Sequence, residues 1–171
     1  MKEKLNKALA WARSFPLDRT VHTLAVLAWI QDVLSCFYLV KWVEAKSMSE
    51  TIFLMALKIN QISPEEASAE LQSEIGSMVG ILFSGILLGL IVTNTIFYLG
   101  YARKKKWAVP YMTASVVTAG LFGITFWFEG FPVGGLWELV NIVGAPVYLI
   151  IGFFAYARKA ELTHPSTIVL R

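Results

Sequence analysis

The apolar positions of this chain fall into four long runs, at residues 21–42, 77–101, 107–128 and 136–157. A helix needs about 20 mostly apolar residues to cross a hydrocarbon core, and each run meets that length. The pattern therefore predicts an all-α integral membrane protein: a four-transmembrane-helix bundle, with residues 1–171 forming a single membrane domain. The first run is too long for the apolar stretch of a cleavable signal peptide, and no small-residue cleavage site follows it.

The polar positions between the runs carry their own patterns. Residues 1–19 read as an interfacial amphipathic helix, with Leu5, Ala8, Leu9 and Ala12 on one side, widened by Trp11 and Phe15, and lysines opposite. Such a helix either lies on an anionic inner leaflet or is a basic leader that only sets orientation. Pro16 ends it. The connection at 43–76 holds two capping-box patterns, Ser47 with Glu50 and Ser63 with Glu66, the second with Pro64 at the first helical position. They predict two short extracytoplasmic helices, near 48–61 and 64–75. The first shows a stripe of Ile52, Met55, Ala56 and Ile59, which would rest on the outer membrane face or cap the bundle. The second would turn Ala67, Leu71 and Ile75 inward and its glutamates outward.

Charge sets the orientation. Residues 1–20 carry Lys2, Lys4, Lys7, Arg13 and Arg19 against Glu3 and Asp18, a net +3. The second connection is the run Arg103, Lys104, Lys105, Lys106, and the tail at 158–171 carries Arg158, Lys159 and Arg171 against Glu161. The connection at 43–76 is acidic instead, with Lys46 and Lys58 against Glu44, Glu50, Glu65, Glu66, Glu70 and Glu74; Glu129 and Glu138 flank the third connection. The alternation is complete, so the positive-inside rule places both termini in the cytoplasm, and a bacterial inner membrane is the expected location. Aromatic residues mark both span ends, among them Phe97, Tyr98, Tyr101, Trp107 and Tyr111 at the inner level and Phe37, Tyr38, Trp42, Phe126 and Trp137 at the outer.

Composition narrows the function. The chain is 56% hydrophobic and 16% charged, with a mean hydropathy of +0.59, which excludes an ordinary soluble enzyme and a disordered chain. A single cysteine, Cys36, excludes an intrachain disulfide and a cysteine zinc site, and the two histidines are far apart. No metal site and no cofactor is predicted. The basic residues sit in clusters between apolar runs, which fits a lipid bilayer as partner and not a nucleic acid.

Polar residues inside a span are costly, so they point to function. Asp32 falls about 15 Å from either end of the first run at a rise of about 1.5 Å per residue. No lysine or arginine lies at its depth. It must therefore carry a proton, face a wet cavity or hold a cation. The third run has an inward stripe of Tyr111, Ser115, Thr118, Phe122, Thr125 and Glu129, and the fourth one of Glu138, Asn141, Ala145, Tyr148, Gly152 and Ala155. Depth matching brings Thr118 and Tyr148 to the level of Asp32, with Glu129, Glu138 and Asn141 nearer the outer mouth. Pro146 should kink the fourth helix. In the second run, Gly76 with Gly80 and Gly85 with Gly89 form GxxxG pairs for helix packing, within the bundle or between two copies.

Three functions follow from these residues. The first is a membrane protein that binds or transports a small ligand, a cation or protons through a pocket of Asp32, Thr118, Tyr148, Asn141, Glu138, Glu129 and Ser115. The second is a non-catalytic accessory, assembly or immunity-type subunit that contacts a homodimer mate or another membrane protein. The third is an intramembrane enzyme on a lipid- or sterol-like substrate, with Asp32 and Glu138 or Glu129 as acid and base.

Overall fold

Every element of the computed structural model, which describes residues 2–45, 48–59, 63, 69–129 and 134–163, is a helix. In chain order they are α1 (Lys2–Arg13), α2 (Leu17–Ala45), α3 (Met48–Ile59), α4 (Ala69–Ala102), α5 (Ala108–Glu129) and α6 (Leu136–Thr163). Four of them, α2, α4, α5 and α6, are long and apolar enough to cross a membrane. Their surface is inverted relative to a soluble protein. Large apolar side chains such as Ile81, Leu82 and Leu88 are more than 60% exposed, while Gln31, Asp32, Asn141 and Arg158 are buried. Exposed apolar surface on this scale calls for a lipid environment. The fold is thus an all-helical one compatible with an integral membrane protein.

The four long helices form a ring. α2 packs against α4 and α6, and α5 packs against the same two, so α2 and α5 face each other across the middle. The turn between α4 and α5 closes by a double hydrogen bond: Lys105 N donates to Gly100 O at 2.9 Å and Lys104 N to Tyr101 O at 2.8 Å. This is a Schellman cap with Lys104 at the left-handed position (φ 55°), where glycine is usual. Lys104 also pairs with Asp18 at the start of α2, which ties the turn to the neighbouring helix.

Several boundaries and faces differ from the sequence reading. Residues 69–75, expected in a separate outer helix, are the first two turns of α4. No proline interrupts 69–102, and a helix of 34 residues runs about 51 Å, well beyond a hydrocarbon core of about 30 Å. Residues 64–68, the 130–133 connection and the 164–171 tail lie outside the described residues. α6 continues past 157 to Thr163 and remains helical on both sides of Pro146. α3 packs against α2 and α4 and buries Phe53 and Leu57, and Ile52, Met55 and Ile59 of its stripe are exposed, so they do not cap the described bundle.

α1 does not rest on lipid alone. It packs against the far end of α6, where Arg13 Nε donates to Ala157 O at 2.9 Å and buried Arg158 donates to Phe15 O. The rings of Trp11, Phe15 and Phe154 meet edge to face around this joint.

The glycines that bring helices together are not those of the GxxxG pairs. Among the described residues a Cβ added at Gly76, Gly80, Gly85 or Gly89 would meet nothing within 4 Å, so these four pack against no described helix of the bundle. The close seam is between α5 and α6: a Cβ at Gly152 would lie 2.7 Å from Val117, one at Gly123 3.1 Å from Ala145, and one at Gly120 2.9 Å from Leu149. Tyr98 and Tyr101, expected at the headgroup level, are buried in the bundle.

Candidate functional site

Two helices supply hydrogen-bond donors to a carboxyl group on a third. Asp32 on α2 is 7% exposed. Its Oδ2 accepts from Asn94 Nδ2 at 2.8 Å and from the Tyr98 hydroxyl at 2.8 Å, both on α4. Its Oδ1 accepts from the Tyr148 hydroxyl of α6 at 2.5 Å. Asn94 and Tyr98 stand four residues apart, one turn of helix, and so reach the same carboxylate together. The fourth helix joins through Ser115 on α5, whose hydroxyl donates to Asn94 Oδ1 at 3.3 Å. On the other side Tyr148 lies 3.4 Å from Ser35 Oγ, which also accepts from Gln31 Nε2 at 3.2 Å.

The donor set fits an ionised acid. A carboxylate accepts only, with about four lone-pair sites, and three are taken here by N–H and O–H groups. Asp32 makes no ion pair among the described residues. An ionised Asp32 would share its charge over three hydrogen bonds with no cation beside it among the described residues, a cost in free energy that a proton or a bound cation would recover.

Beside this carboxylate lies a cavity of about 590 Å³, within the range of small-molecule sites. Asp32, Ser115, Thr118, Asn141 and Tyr148 all line it, together with Asn94 and Ser35. The rest of the wall is apolar and aromatic, including Leu39, Phe97, Phe122 and Phe126. Asn141, 7% exposed, is the second notable polar group: its side-chain Nδ2 is buried with no hydrogen-bond partner among the described residues. Its backbone carbonyl accepts from Trp127 Nε1 at 3.3 Å, which holds α5 and α6 together at this level.

One expected residue stands apart, and one lies outside what is described. Glu138 is half-buried in the first turn of α6 and does not line the cavity. It is ten residues before Tyr148, about 15 Å along the helix, so it does not pair with Asp32 as an acid–base couple. Glu129 closes α5, and its side chain lies outside the described residues. Thr125 instead turns its hydroxyl back to Phe122 O at 2.6 Å. No group of three or more His, Cys, Asp or Glu side chains gathers among the described residues.

The sequence reading set Asn94 at the inner end of its span and Tyr98 in an aromatic belt; both belong to the centre of the site. A signal for them existed. Leu87, Ile91, Asn94, Tyr98 and Tyr101 recur at alternating spacings of four and three, one face of a helix, and Gly85 and Gly89 fall off that face.

The fold and site define a class: an all-helical protein of four membrane-length apolar helices around a buried, hydrogen-bonded carboxylate and a largely apolar cavity. Comparison with protein-family models, with curated proteins and with solved structures finds no match to this chain.

Proposed function

We propose that this chain is an integral protein of a bacterial inner membrane, termini cytoplasmic, that binds or transports a small ligand or cation in the cavity beside Asp32. The observation that carries the reading is a buried Asp32 with no cationic partner among the described residues. Three uncharged donors orient Asp32, and none supplies the positive charge that would offset its burial. A residue kept only to fix helix register needs neither a cavity nor three partners from two helices. Native mass spectrometry of the protein released from lipid nanodiscs tests it. Wild-type protein should carry a small-molecule or cation adduct that Asp32→Asn lacks, and equal spectra for the two would count against the proposal.

A second reading, a subunit that contacts another membrane protein or a second copy, draws on the GxxxG glycines of α4, where an added Cβ would meet nothing within 4 Å among the described residues. Cysteine crosslinking from Gly85→Cys in a Cys36→Ser background tests it, and a crosslinked partner band is the result expected of a subunit.

A further inference from the structure

We infer that the ligand is an organic monocation, a protonated amine on an apolar body, carrying one hydrogen-bond acceptor about two helical turns from its charge. This rests on the reading of the cavity as a binding site and adds the chemistry of what fills it.

The charge end follows from Asp32. Asn94 and Tyr98 occupy Oδ2 and Tyr148 takes one site on Oδ1, which leaves about one lone-pair site of four, on Oδ1. A metal cation would need several oxygen ligands around it. Here the groups nearest the carboxylate present N–H and O–H hydrogens to it, and no second acid is among the described residues that line the cavity. A single N–H of a tertiary ammonium, by contrast, needs one acceptor site and brings alkyl groups that match the aromatic and aliphatic wall.

The acceptor end follows from Asn141. A buried amide N–H without a partner carries a desolvation cost that a ligand oxygen would remove. Asn141 lines the same cavity and precedes Tyr148 by seven residues on α6, two turns or about 10 Å. Both polar groups line one largely apolar cavity of about 590 Å³, large enough for a drug-sized molecule.

Three probes separate the terms on the unmodified protein: 6-(dimethylamino)hexyl benzoate, its uncharged isostere 7-methyloctyl benzoate, and the acceptor-free N,N-dimethyl-8-phenyloctylamine. Binding is measured in lipid nanodiscs and corrected for uptake by empty discs. The amino ester should bind tightest, the neutral ester about tenfold or more weaker, and the acceptor-free amine about threefold to tenfold weaker. Asn141→Leu should weaken the amino ester to the level of the acceptor-free amine and leave the latter unchanged. Equal binding of the charged and neutral esters overturns the monocation while the cavity remains a binding site. Indifference to Asn141→Leu overturns the acceptor. Failure of all three probes in a chain that still yields an Asp32-dependent native adduct overturns the inference alone, and loss of that adduct too overturns the reading beneath it.

Discussion

At the scale of single residues, Asp32 and its donors hold one another in place. Removing one donor from a buried carboxylate exposes the rest of the charge to an apolar surrounding, at a cost of about 1–3 kcal/mol. Tyr148 is the sole described donor to Oδ1, so Tyr148→Phe should lower stability by about that amount, read as thermal unfolding in detergent. Tyr98→Phe should cost less, because Asn94 still serves Oδ2. Asp32→Leu removes the acceptor from three buried donors at once and should be the most damaging of the set. An equal melting temperature for Tyr148→Phe and wild type would mean that the short hydrogen bond contributes nothing.

Among the elements, the α5–α6 seam and the α4 glycine faces make opposite predictions for the same substitution. At Gly152 a new methyl meets the stiff, β-branched Val117 at 2.7 Å, and at Gly123 it meets Ala145 at 3.1 Å. Overpacking of this kind costs about 1–3 kcal/mol, so Gly152→Ala should lower the melting temperature clearly. At Gly85 and Gly89 the methyl meets open space and adds helix propensity worth about 0.5–1 kcal/mol. Gly85→Ala should therefore be neutral or stabilising in the monomeric protein. If Gly85→Ala proves as damaging as Gly152→Ala, that face is packed against something outside this chain.

Across the whole molecule, α1 is tied to the far end of α6. Arg158 is 2% exposed and joins the Phe15 carbonyl to Glu161. Charge-assisted hydrogen bonds of this type contribute about 1.5–3 kcal/mol each. Arg158→Leu should loosen α1, and limited trypsin digestion should then cut at Lys7 and Arg13 faster than in the wild type, with the four long helices intact. Unchanged cleavage would mean that the aromatic cluster of Trp11, Phe15 and Phe154 holds α1 by itself. Orientation belongs to this scale as well. In a Cys36→Ser background, Lys105→Cys should be labelled by a membrane-impermeant maleimide only after the inner membrane is opened, and Glu50→Cys in intact spheroplasts. The reverse pattern would invert the proposed topology.

The residues themselves determined how many helices of membrane length the chain makes, and that a carboxylate sits inside one of them. Both follow from local properties, run length and residue type, that no partner can alter. The turn chemistry of Pro16 and the apolar character of 48–59 were legible in the same way. What the sequence left open is the rotation of each helix about its own axis. A helix that is apolar on all sides has no preferred face, because lipid and protein interior are equally apolar. Only the packed bundle decided that α4 turns Asn94 and Tyr98 inward and leaves Gly85 and Gly89 in open space, and that α5 and α6 make the close seam.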